Sequence, residues 1–349
     1  MPWDQTVTWH LECNGKTFYN KLEAIAQNTT SGQPIHFITS KKYDDFDFSI
    51  EPSDSLEQLC VAEAKALRNC NEEVFLFYSG GSDSHYILQT FLDNNIKLDK
   101  IVMVKSGYRS ADFEIDDYAL PFIKKLDIPF EVRCPDQKYY HDFYMSPLQF
   151  LTQNEFWHHF RLNNHFENLK HSPEHRVNIF GKEKPKLVYE GNKWYTYFMD
   201  VEVTNQPNQH NFYIENPAIY SKQCHMLKNK IESQKDQTEY NHITHYNENQ
   251  DFWNRSIGRY DKEIFPLKLL NENGCFSNKD YLAIQSAEPR LVTAWKRRNA
   301  KLVERYGTHW FNQGEPSLGT IGVFSKFYCL SEKDTKTVDD LYADGFKIQ

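Results

Sequence analysis

Apolar and polar positions follow their most regular pattern between Glu73 and Arg133. The run Val74-Phe75-Leu76-Phe77-Tyr78 predicts a buried strand over Glu73–Tyr78. A helix is expected over His85–Asn94, a second buried strand over Lys100–Val104, a helix over Asp112–Leu126 and a third strand over Pro129–Arg133. Strands and helices alternating at this spacing give a parallel sheet with right-handed crossovers. Val177-Asn178-Ile179-Phe180 reads as a fourth core strand that ends in Gly181-Lys182-Glu183-Lys184-Pro185. The fold class expected is α/β, a doubly wound parallel sheet. Such sheets bind ligands at the carboxyl ends of their strands, near the point where strand order reverses.

The flanking regions read differently. Residues 1–70 form an expected α+β entry module. Thr6–Cys13 alternates like a strand, Phe18–Ala26 reads as a helix and Ile35–Thr39 as a short strand. After an acidic turn, Asp44–Asp47, Ser53 or Asp54 is placed to cap a helix over Leu56–Arg68. Residues 71–225 make the expected nucleotide-binding domain. Within it Met145–Asn168 reads as helical, and Lys186–Tyr189 with Trp194–Val201 as a hairpin around Glu190-Gly191-Asn192-Lys193. Residues 226–349 are expected to be mostly helical, a substrate or interaction region. It opens on a polar stretch, Asn229–Asp251, suited to a mobile connection, an exposed helix or a lid. Helical segments follow near Asp280–Gln285 and Arg290–Arg305, and a strand near Gly322–Leu330.

The chemistry concentrates where the first buried strand ends, at Ser79-Gly80-Gly81-Ser82-Asp83-Ser84. Strand, glycine turn and helix start in that order make a phosphate cradle. Glycines let the backbone turn sharply and approach an anion without Cβ interference. Successive N–H groups then point into one concavity beside the positive end of the helix dipole. Ser79, Ser82 and Ser84 add hydroxyls. Asp83 repels phosphate unless a divalent cation lies between them, so Mg²⁺ is expected, with Asp83 as its ligand.

Ser-Gly-Gly-Ser-Asp-Ser after a strand resembles the signature of the PP-loop ATP pyrophosphatases, which cleave ATP between the α and β phosphates. The resemblance spans Glu73–Arg133, with further support near Val177–Lys184. It implies a Rossmann-like fold, ATP and Mg²⁺ as cofactors, and adenine beside the backbone at Val104. It also implies a loop after the fourth strand that closes over the phosphates. Lys182, and Lys184 after it, are placed there to neutralise pyrophosphate oxygens; a solvated basic turn accounts for them equally. Glu114, Asp116 and Asp117 suit favourable first-turn acids of the second helix better than a metal site.

Other patterns narrow the choice. The chain has no Gly-x-x-x-x-Gly-Lys-Ser/Thr, Gly-x-Gly-x-x-Gly or His-Glu-x-x-His. Its seven cysteines are scattered and never form Cys-x-x-Cys, which reads as reduced cytoplasmic thiols and disfavours the thiolating and deazaguanine-forming branches of the family. Cys329 sits in Tyr-Cys-Leu, unlike the Cys-Gly-Leu-His context of sulfonucleotide reductases. Pro2 after Met1 departs from the cysteine nucleophile that starts a glutaminase, so ammonia or another amine is the expected nucleophile. No apolar segment is suited to export or to spanning a bilayer. Lys and Arg number 40 against 48 Asp and Glu, a net charge of −8, which argues against nonspecific coating of nucleic acid. A local basic helix, Arg290, Lys296, Arg297, Arg298, Lys301 and Arg305 with Trp295, suits an RNA backbone, an anionic substrate or a solvated face. Abundant Asn, Lys, Tyr and Phe fit an AT-rich coding genome such as a phage's.

Three functions stay open. The first is a ligase that adenylates a small molecule or nucleobase for attack by an amine. The second is RNA or nucleobase modification by the same chemistry. The third is a nucleotide-binding protein without turnover.

Overall fold

The computed structural model describes residues 9–18, 21–105, 112, 114–134, 175–181, 185–199, 209–234 and 323–341. The expectations at Lys182, Lys184, Met145–Asn168, Asp280–Gln285 and Arg290–Arg305 lie outside these residues.

The chain enters through an antiparallel sheet of β1 (His10–Cys13), β2 (Lys16–Phe18) and β3 (Ile35–Ile38), in the order β2-β1-β3. Asn14 and Gly15 both take positive φ, 52° and 69°, the two-residue turn whose twist matches a hairpin. Phe18 therefore closes a strand, and helix α1 starts only at Lys21 (Lys21–Ser31). A short helix α2 (Lys41–Asp44) precedes α3 (Leu56–Cys70). Ser55, not Ser53 or Asp54, caps α3: its hydroxyl accepts from Gln58 N at 3.1 Å, and Gln58 Oε1 accepts from Ser55 N at 2.8 Å.

The central sheet contains β4 (Glu73–Phe77), β5 (Lys100–Val104), β6 (Phe130–Arg133), β7 (Arg176–Phe180) and β10 (Gln209–Asn211). All five strands are parallel, in the order β10-β7-β4-β5-β6. Strand order reverses between β4 and β7, the point beside which sheets of this kind bind their ligands. Helix α4 (Ser82–Asp93) connects β4 to β5. A π-helical turn (Glu114–Ala119) running into α5 (Leu120–Ile123) lies between β5 and β6. On one face Val74, Leu76, Ile101, Met103, Val177 and Ile179 pack against Leu67 of α3 and Ile87, Leu88 and Phe91 of α4. On the other face Phe75, Phe77, Val102 and Phe180 form a smaller cluster. The Arg176 guanidinium lies 4.1 Å from the Phe75 ring centre, a cation–π contact.

A second antiparallel sheet takes the order β12-β11-β9-β8, from β8 (Lys186–Glu190), β9 (Lys193–Tyr197), β11 (Phe327–Cys329) and β12 (Thr335–Lys336). Gly191 and Asn192, φ 56° and 63°, turn β8 into β9 as expected for this hairpin. Helix α6 (Pro217–Gln234) extends further back than the polar stretch suggested, because Tyr220, Cys224, Leu227 and Ile231 bury one side of it. Those residues share a core with Trp9, Leu11, Phe37, Tyr43, Phe198 and Tyr328. Residues 9–48 thus pack with the second sheet, whereas α3 packs with the parallel sheet. Among the described residues no helix is long and apolar enough to cross a membrane.

Candidate functional site

β4 ends at the reversal point, and the buried residue just after it, Tyr78, donates its N–H to Val102 O at 2.8 Å. The chain then turns through Ser79, Gly80 and Gly81 into α4. Gly80 takes φ 80°, a left-handed conformation that side chains with a Cβ resist. Gly81 is the N-cap, so Ser82, Asp83 and Ser84 form the first turn of α4, whose start lies three residues before the predicted one. The first-turn N–H groups of a helix have no partner within it, and the helix dipole places positive potential there. The six residues singled out from the sequence therefore sit together at one strand–helix junction. Val104 ends the neighbouring strand β5.

The loop is braced by its own hydroxyls. Ser84 Oγ accepts from Ser79 N at 3.2 Å, lies 3.1 Å from Ser79 Oγ and donates to Gly81 O at 3.1 Å. Ser79 Oγ accepts from Gly81 N at 3.3 Å. Ser84 is buried, so its hydroxyl shapes the turn; donation from Ser79 or Ser84 to a phosphate requires these bonds to be exchanged. Below the loop, Tyr78 Oη and His85 Nδ1 are 2.9 Å apart and both side chains are buried.

Two further contacts come from distant parts of the chain. A Cβ built on Gly181, the residue after β7, would lie 2.8 Å from Ser84 N and 3.0 Å from Asp83 C. Gly181 therefore packs against the backbone of the Ser79–Ser84 loop. Tyr213, just past β10, donates from its hydroxyl to Asp83 O at 2.8 Å. Neither had a local signal beyond the glycine at the end of a predicted strand. Gly181→Ala should force the backbone of α4 away, at a cost of about 1–3 kcal/mol. Thermal unfolding should show a lowered midpoint, and an unchanged midpoint would contradict the close approach.

At the end of β5, Lys105 Nζ lies 2.7 Å and 2.9 Å from the two carboxylate oxygens of Asp116, and this hydrogen-bonded pairing raises the lysine pKa. Asp116 thus pairs with the strand end as well as standing in the π-helical turn. Among the described residues no group of three His, Cys, Asp or Glu is arranged to hold a metal ion. Asp83 is the acidic residue of the first turn of α4. One carboxylate fits a Mg²⁺ ion whose other ligands are phosphate oxygens and water, the usual habit of that ion, and does not fit a cage made by protein alone.

The fifth strand of the sheet was not foreseen, because it reads Gln209-His210-Asn211. His210 Nε2 lies 2.9 Å from Glu63 Oε1 of α3, and Nδ1 lies 3.1 Å from Glu215 Oε2. Asn216 Nδ2 donates to the other oxygen of Glu63 at 2.6 Å. Burial by itself would push the imidazole pKa down, but the two carboxylates outweigh it and raise it to about 9. A histidine pKa raised on folding adds stability that is complete below the unfolded value of 6.5 and disappears as pH rises through about 9. The span corresponds to about 3 kcal/mol. Resistance of the wild type to urea unfolding should therefore fall between pH 6 and pH 10, and His210→Leu should remove that part of the slope. An identical slope in the variant would assign the pH dependence elsewhere.

No family model matches this chain, and no curated protein is significantly similar to it.

Proposed function

We propose that this protein is an ATP-dependent adenylating enzyme of PP-loop type that forms a C–N bond. The observation that carries the proposal is the Ser79–Ser84 loop at the carboxyl end of a central parallel strand, with Gly80 at φ 80° and α4 starting directly behind it. Strand order reverses beside this loop, the usual ligand position in such sheets. ATP would lie with adenine beside Val104 and its phosphates on the N–H groups of Gly80, Gly81 and Ser82. Mg²⁺ held by Asp83 would offset charge on the leaving group, and Lys182 would add positive charge from the loop after β7.

A carbonyl or carboxylate oxygen of the substrate attacks the α-phosphorus. The bond from that phosphorus to the bridging oxygen breaks, and pyrophosphate leaves with the electron pair. An amine then attacks the activated carbon, AMP departs with the substrate oxygen, and the amine proton passes to solvent. The chain's part is positioning and charge stabilisation, which needs no nucleophile from the protein.

The test is calorimetric titration with Mg²⁺ and α,β-methylene ATP, followed by substrate-dependent exchange of pyrophosphate into ATP. Binding with exchange supports the enzyme. Binding without exchange across amine and carbonyl substrates leaves a nucleotide-binding protein. A folded protein that does not bind the analogue refutes the nucleotide site.

A further inference from the structure

Strands of a parallel sheet buried on both faces are normally near-continuous apolar runs. β10 departs from this at every position: Gln209, His210 and Asn211 are 3%, 2% and 1% exposed. The ion pairs to Glu63 and Glu215 account for His210, on the face covered by α3. Gln209 and Asn211 point to the opposite face. In register they lie beside Asn178 and Phe180 of β7. The Phe180 ring stacks on Phe77 at 4.5 Å between centres, making an apolar floor next to Asn211.

The two carboxamides hold each other through Gln209 Nε2 and Asn211 Oδ1, 3.4 Å apart. Gln209 Oε1 and Asn211 Nδ2 are buried with no hydrogen-bond partner among the described residues. Turning both amides over would exchange the roles and still leave one donor and one acceptor. Natural interiors rarely leave such groups unmatched, and an unmatched pair calls for a specific explanation.

Location supplies it. Asn211 is next to Phe180, and the residue after Phe180 is Gly181, which abuts Ser84. Neighbouring strands are about 4.8 Å apart, so the pair lies within roughly one small molecule's length of the cradle. It lies on the β7 side of the reversal point, opposite β5 and Val104.

We infer that Gln209 and Asn211 are the substrate-reading pair of this site, taking a planar amide edge with donor and acceptor side by side. This inference rests on the adenylating function proposed above and narrows it. A carboxylate offers no donor to Gln209 Oε1, and a simple amine offers no acceptor to Asn211 Nδ2. A carboxamide and the lactam edge of a nucleobase each offer both.

The test uses the full chain with Mg²⁺ and α,β-methylene ATP, titrated with uridine and with L-asparagine. N3-methyluridine and L-aspartate, which lack the amide donor, serve as their counterparts. At least tenfold preference for uridine identifies a nucleobase substrate, and the same preference for asparagine identifies a carboxamide. Asn211→Leu and the near-isosteric Asn211→Asp should each reduce the preference at least tenfold, while binding of the ATP analogue reports that each variant is folded. Equal binding of probe and counterpart, retention of the preference in Asn211→Asp, or no probe binding by wild type that holds the analogue overturns the inference and leaves the nucleotide site intact. Failure of the analogue to bind folded wild type overturns the nucleotide site, and the inference with it.

Discussion

Gly80→Val is expected to weaken binding of α,β-methylene ATP by about 30- to 150-fold, through strain of roughly 2–3 kcal/mol at a left-handed position. Gly80 is the turn residue with φ 80°, directly between the end of β4 and the N-cap of α4. A β-branched side chain cannot adopt that conformation without strain, so the loop must move to a negative φ. The path of the backbone from Ser79 into α4 then changes, and with it the N–H groups proposed to hold the phosphates. The Ser79–Ser84 hydroxyl bonds, which hold the two ends of the loop together, are lost in the same movement. The parallel sheet has its own core, in which Leu76, Ile87 and Phe91 do not depend on the loop. Circular dichroism should therefore report a folded protein while calorimetry reports the loss of binding. Unchanged nucleotide affinity would refute the phosphate cradle.

Asp83→Ala is expected to lower Mg²⁺-dependent pyrophosphate release by about 100-fold or more, the scale seen when one stabilising group is removed from a developing negative charge. The fold should tolerate the change. The bond from Tyr213 reaches the main-chain oxygen of Asp83, which alanine retains. Removing one acid from the start of a helix costs only about 0.3–1 kcal/mol. The informative measurement is release against Mg²⁺ concentration: the variant should lose the magnesium response, with its unfolding midpoint shifted by a few degrees at most. Full activity with an unchanged magnesium dependence would remove Asp83 from the metal site and require another ligand.

Where the expected elements and the structure differ, the cause is chemical in each case. The hairpin from β1 to β2 was encoded in Asn14-Gly15, the favoured pair for a tight turn, but the apolar spacing around Phe18 resembled the start of a helix. The cap of α3 fell on Ser55 because Gln58 stands three residues later and completes the reciprocal bonds. α4 began earlier than its apolar pattern because its first turn, Ser82-Asp83-Ser84, is polar and carries no apolar position for the periodicity to register. β10 was invisible to hydrophobic periodicity, since its side chains are buried by ion pairing and amide contacts instead of apolar packing.

The amino-acid sequence by itself determined the glycine turn between strand and helix at Ser79–Ser84, the strands at Glu73, Lys100 and Phe130, and the strand that ends before Gly181. Each of these is written in a short window, where two glycines, a polar first turn or a run of Val, Ile and Phe has only one low-energy local outcome. Tertiary structure alone decided that β7 lies beside β4, that Gly181 touches the backbone of Ser84, and that Tyr213 holds the carbonyl of Asp83. It also decided that His210 meets Glu63. Those partners are separated by scores of residues, and no local window contains both members. They meet because a parallel sheet returns distant strands to the same end, where a residue's neighbours are set by strand order and register and not by position along the chain.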